Sequence, residues 1–94
     1  MSEEKILTEH PGGRRGVRID RARYEVMKKA IVESLHEGEM THNELMKAVE
    51  GRLKGKFQGS ILWYAETVKL DLEAKKVIER IHGAKPQLYR IKKK

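Results

Sequence analysis

The stretch that most constrains this chain is Ser60 to Arg80, S-I-L-W-Y-A-E-T-V-K-L-D-L-E-A-K-K-V-I-E-R. Laid on a helical period, Ile61, Ala65, Val68 and Leu72 recur at spacings of four, three and four, which places them on one face. That face is expected to be core. Trp63, Thr67, Leu70 and Ala74 fall on roughly the opposite side, a second and weaker apolar stripe that one core cannot cover. Val77, Ile78 and Ile81 then bring β-branched character, His82-Gly83-Ala84-Lys85-Pro86 reads as a turn, and Gln87 to Lys92 resumes as a strand.

With 94 residues the chain has room for one domain and one modest core. Without cysteine it has neither a disulfide framework nor a thiolate zinc site, which fits a reducing compartment. No apolar run approaches the roughly 20 residues of a membrane span, and the acidic start lacks the pattern of a signal peptide. A cytoplasmic protein without membrane contact is expected.

The net charge of +7 is unevenly placed. Residues 14–23 carry +4, residues 51–58 carry +3 and residues 81–94 carry +5, whereas residues 24–50 carry −3 and residues 59–80 are neutral. Such blocks suit phosphate-bearing polymers, although lysine and arginine also simply keep small proteins soluble. Aromatic residues are few, which argues against a stacking platform for single strands.

Residues 1–16 mix charge with His10-Pro11-Gly12-Gly13 and show no sustained apolar period, so a flexible basic arm is expected there, with the folded domain over residues 17–94. Arg14, Arg15 and Arg18 would let such an arm follow a DNA backbone or minor groove. Asp20 is the expected N-cap of a helix carrying Tyr24, Met27, Ile31 and Leu35 inward and ending near Gly38. Thr41-His42-Asn43-Glu44 is a capping box opening a second helix, with Leu45, Val49 and Leu53 inward, and Glu39 to Thr41 can supply a short strand before it. The loop from Gly51 to Gly59 brings Arg52, Lys54 and Lys56 towards the start of the third helix, capped by Ser60. Free amides and the helix dipole there favour anions.

The resulting order is helix, short strand, capped helix, loop, long helix, strand, turn, strand. It resembles winged helix-turn-helix domains over roughly residues 20–92, most tellingly in T-V-K-L-D-L-E-A-K-K-V-I-E-R, where a recognition helix runs into the first wing strand. More narrowly, G-S-I-L-W-Y-A-E-T-V-K-L-D-L-E-A looks like a group of small stand-alone bacterial winged-helix proteins of unknown function. The resemblance implies a mainly α fold with a small antiparallel β-wing: an α+β class of three helices and a two- or three-stranded sheet. For the winged regulators it also implies duplex DNA as partner and a link to transcription regulation, whereas membership of the narrower group supplies a fold and no activity. Two features depart from that pattern. Lys76 stands where many winged regulators have glycine at the helix end. The outward N-terminal positions of the long helix offer Ser60, Trp63, Tyr64, Glu66 and Thr67, a set poor in the side chains that read base edges.

Nothing points to catalysis. His10, His36, His42 and His82 are scattered without ligand spacing, and neither glycine group matches a phosphate-cradling loop, so no enzyme activity, metal, cofactor or small-molecule ligand is expected. Two binding readings stand. For duplex DNA, Ser60, Tyr64 and Thr67 would face the groove, Lys54, Lys56 and Lys69 would touch phosphates, and Lys85 and Arg90 on the wing would add flanking contacts. For a protein partner or a homodimer, Trp63, Leu70 and Ala74 would be the contact surface. A structural account competes with both: the N-terminal arm, through Ile6, Leu7, Val17 or Ile19, folds back over that stripe.

Overall fold

In a computed structural model the described residues, 4–13 and 15–92, form five strands and three helices. Strands β1 (Lys5–Glu9) and β2 (Arg15–Asp20) make an antiparallel hairpin, followed by α1 (Arg21–His36), β3 (Met40–Thr41), α2 (His42–Leu53), α3 (Ile61–Ala74), β4 (Ile78–Arg80) and β5 (Leu88–Ile91). The second sheet is antiparallel in the order β3-β5-β4. This is the expected α+β class, and β4 and β5 form a C-terminal antiparallel hairpin, hereafter the wing.

Local chemistry accounts for the helix starts. The Arg23 amide donates to the Asp20 carboxylate at 3.1 Å, and the Trp63 amide donates to Ser60 Oγ at 3.2 Å. At α2 the capping box is complete: the Glu44 amide donates to Thr41 Oγ1 at 3.1 Å, and the Thr41 amide donates to the Glu44 carboxylate at 2.9 Å. Each cap pairs an amide that the helix itself leaves without a partner. The end of α3 is a Schellman turn, with the Val77 amide donating to the Leu72 carbonyl at 2.9 Å and the Lys76 amide to the Glu73 carbonyl at 3.2 Å. Lys76 occupies the position that favours glycine, with φ +64. The departure visible in the sequence is thus met by a left-handed lysine, not by a different cap.

The core joins Met27 and Ile31 of α1, Leu45 and Val49 of α2, and Ala65, Val68 and Leu72 of α3 to Ile78 and Tyr89 of the wing. Ile61, the first member of the expected inward stripe of α3, is half-buried.

The N-terminal segment differs from the flexible arm expected over residues 1–16. Instead, β1 pairs with β2 through Ile6–Ile19 and Leu7–Arg18, and the hairpin packs on α1 and α3. Period-2 alternation explains why: Ile6, Thr8 and Ile19 turn inward, Leu7 and Arg18 outward. Burying Ile19 contributes about 1.5–3 kcal/mol. Buried Thr8 exchanges two bonds across the hairpin, donating to the Val17 carbonyl at 3.1 Å and accepting from its amide at 3.0 Å. The register slips between Leu7 and Glu9 at this point, and Gly16 makes the slip possible, because a Cβ there would lie 1.8 Å from the Thr8 carbonyl oxygen. The boundary expected between residues 16 and 17 therefore falls inside one hydrogen-bonded hairpin.

Candidate nucleic-acid interface

Helix α3 lies between the β1–β2 hairpin on one flank and the wing on the other, and each flank is fixed by a carboxylate that its own residues bury. On the hairpin side Asp71 is fully buried, and its Oδ1 accepts the Glu9 amide at 2.8 Å while its Oδ2 accepts the Tyr24 hydroxyl at 2.5 Å. Lys75 completes the shell at 3.1 Å. Burial first, then the bond to Asp71, pushes the Tyr24 phenol above its ordinary range, so it stays a donor. On the wing side Glu73 accepts Lys69 Nζ at 3.0 Å and Arg80 Nε at 2.7 Å. The bond to Glu73 holds Arg80 still more firmly protonated, against a smaller opposing effect of burial.

These flanks decide which expected DNA contacts are available. Lys69 is not. It is 3% exposed, paired with Glu73, and its ammonium lies 4.1 Å from the centre of the Tyr89 ring, so the phosphate contact expected of it is ruled out by packing. Its position, one helical turn from Ala65 and flanking the core face, turns it towards the wing. Arg90 is partly exposed but holds Glu79 at 2.7 Å. Tyr64 and Thr67 are half-buried, the Tyr64 ring meeting Phe57 edge-to-face at 5.2 Å and carrying the Arg23 guanidinium at 5.9 Å. Ser60 is exposed, with its hydroxyl engaged in the cap.

The loop before α3 separates its cations. Arg52 turns back to α1, donating to Ser34 Oγ at 3.1 Å and pairing with Glu33 and Glu37, so it does not join the loop lysines at the start of α3. Lys54 and Lys56 are exposed and pair with no carboxylate among the described residues. Left-handed Gly55 and Gly59 fold the loop onto the first turn of α3, where a Cβ on Gly59 would meet the Tyr64 ring at 3.1 Å. Arg18 on β2 and Lys85 in the wing turn are likewise exposed. Arg14 and the side chain of Arg15 lie outside the described residues.

The second apolar stripe is only partly covered. Leu70 and Ala74 are half-buried between the two flanks, whereas Trp63 is 48% exposed and its neighbour Leu62, not singled out by the sequence, 49%. The hairpin does fold back on α3, but it covers the side bearing Asp71. Leu7 and Val17, two of the residues expected to do the covering, point outward.

Elsewhere, an open groove of about 640 Å³ lies between the end of α1 and the wing, lined by Leu35, His36, Glu39, Glu79, Arg90 and Ile91 among others. Among the described residues no three His, Asp or Glu side chains converge to hold a metal ion, and no helix is long and apolar enough to cross a membrane.

Fold and surface together define a small α+β domain of three helices and two small antiparallel sheets, the first an N-terminal hairpin. The chain belongs to DUF6958, a family of unknown function whose model matches residues 5–89, from the first strand of that hairpin into β5. No curated protein and no solved structure matches it.

Proposed function

We propose that this chain is a binding protein for duplex DNA, without enzyme activity or cofactor, that holds the phosphate backbone more than it reads bases. Support comes from how the fold sorts its cations. Lys69, Lys75, Arg52, Arg80 and Arg90 are each paired with carboxylates, while Lys54 and Lys56 stand exposed in the loop leading into α3. Arg18 and Lys85 supply flanking charge from the hairpin and the wing turn. In the order helix, strand, helix, helix, wing, this loop and the wing turn are the parts expected to meet a backbone. A bacterial cytoplasmic protein acting near transcription is the setting that such binding suits.

A titration against random duplex DNA at several salt concentrations tests the reading. Binding should weaken steeply with salt, and the double variant Lys54→Gln/Lys56→Gln should make the log–log slope shallower by about 1.8, two lost phosphate contacts. An unchanged slope removes this loop from the interface.

The exposed pair Leu62 and Trp63 favours a second reading, in which the first turn of α3 docks on a protein or on a second copy of the chain. In that case Trp63→Ala shifts the protein towards monomer in sedimentation, and a wild type that is monomeric at high concentration removes the dimer form.

A further inference from the structure

The proposed phosphate contacts leave the first turn of α3 unused, and its exposed side chains are apolar. Leu62 and Trp63 are half exposed in its first turn, while Ile61, Tyr64, Val68, Leu70 and Leu72 are buried or half-buried. The indole is held from behind: it meets Tyr64 edge-to-face at 5.0 Å, Tyr64 meets Phe57 at 5.2 Å, and the Arg23 guanidinium lies over Tyr64 at 5.9 Å. A braced aromatic with an exposed leucine beside it, at the start of a helix that follows a loop bearing two exposed lysines paired with no carboxylate among the described residues, matches the parts of an apolar wedge. In such wedges large side chains enter between base steps while cations hold the adjoining phosphates.

Apart from exposed Gln58 in the loop, groups able to read bases by hydrogen bonds are few in the same place. The Ser60 hydroxyl accepts the Trp63 amide, Lys69 is paired inside, and Thr67 and Tyr64 are half-buried. Exposed Glu66, one turn beyond Leu62, would repel phosphates, so only the first turn of the helix can approach closely. We infer that Leu62 and Trp63 wedge into a base step of duplex DNA, with Lys54 and Lys56 on the phosphates beside it. This rests on the duplex-binding reading above. It deepens that reading by making deformability the property selected: pyrimidine–purine steps such as TA unstack readily, and stiff A-tracts do not.

Trp63 is the sole tryptophan of the chain, so its fluorescence reports this contact alone. The full chain is titrated with two duplexes of equal length, one with a central TA step and one an A-tract. The wedge predicts quenching on binding, tighter binding to the TA duplex, and about a tenfold loss for Trp63→Ala on that duplex with an unchanged salt slope. Trp63→Phe, which keeps a ring, should retain most of the affinity and guards against a folding defect in the alanine variant. Salt-dependent binding of both duplexes with unmoved tryptophan emission and undiminished Trp63→Ala affinity overturns the wedge and leaves the backbone reading standing. No duplex binding even at low salt overturns both. A concentration-dependent blue shift without DNA, accompanied by dimers in sedimentation, assigns the patch to self-association and also overturns the wedge.

Discussion

The Tyr24 hydroxyl of α1 donates to Asp71 Oδ2 of α3 across 47 positions of sequence, and the same carboxylate accepts the Glu9 amide of β1. One fully buried side chain thus ties together the hairpin, the first helix and the third. Tyr24→Phe keeps the ring and deletes the donor, leaving the Asp71 carboxylate short of a partner. A loss of about 1.5–3 kcal/mol in urea-unfolding stability is expected, the range for hydrogen bonds to charged groups.

The same bond carries a pH signature. The folded phenol is raised above its ordinary value, so its contribution is complete below about pH 10, where unfolded tyrosine begins to ionise, and is lost as pH rises towards the folded value. Wild-type stability should therefore fall faster than that of Tyr24→Phe above about pH 10, and the gap between them should narrow. Denaturation series on both proteins, compared as a difference, cancel the titrations they share. A constant gap would mean that Tyr24 ionises alike in the folded and unfolded chains.

Gly16 allows the hairpin to slip its register. Gly16→Ala would press a methyl group into the Thr8 carbonyl at 1.8 Å, and the nearest obstacle is backbone that cannot swing aside. A loss of about 2–3 kcal/mol is expected. Hydrogen exchange should locate it, with amides of residues 5–20 losing protection before those of α2.

Lys76 closes α3 with φ +64, a conformation that disfavours side chains by about 1–2 kcal/mol. Lys76→Gly relieves that strain but frees the unfolded chain, so it should be neutral to about 1 kcal/mol stabilising. Lys76→Val places a β-branched residue there and should lose about 1–2 kcal/mol. Thermal unfolding of the two variants should move in opposite directions from wild type, or leave the glycine variant unmoved.

Much of this architecture was legible from short-range signals. Asp20, Thr41 with Glu44, and Ser60 announce three helix starts through chemistry that needs only neighbours, and Ala65, Val68 and Leu72 announce the core face of α3 through period alone. What escaped depends on partners far along the chain. Nothing in the local sequence marks Asp71 and Glu73 for burial, because Glu9, Tyr24 and Arg80 come beside them only after folding. Ile6 and Ile19 are legible as residues that can fold the arm back, but not as partners of each other in a hairpin, in a stretch dominated by glycine and charge. Lys69 was misplaced for the same reason, since an i,i+4 pair with Glu73 looks alike on the surface and in the interior. For the candidate interface, the lysines of the loop were visible as a charge block, but the exposure of Leu62 was not, because which side of the first turn stays open is decided by packing between segments distant in sequence.

Lys69 separates fold from function. Its pairing with Glu73 at 4% and 6% side-chain exposure makes it a structural cation, whereas Lys54 and Lys56 are outward. Replacing one member of a buried pair typically costs about 3–5 kcal/mol, and because Arg80 still holds Glu73, Lys69→Met should lose nearer 2–3 kcal/mol. Lys69→Met/Glu73→Leu should recover most of that loss, since an apolar pair of similar volume leaves no buried charge behind. If the DNA reading holds, neither variant changes the salt slope of duplex binding below its unfolding temperature, while Lys54→Gln/Lys56→Gln makes the slope shallower with little change in stability. A shallower slope for Lys69→Met would place that lysine on the phosphates after all, and the wing would then have to move away from α3 to let it reach them.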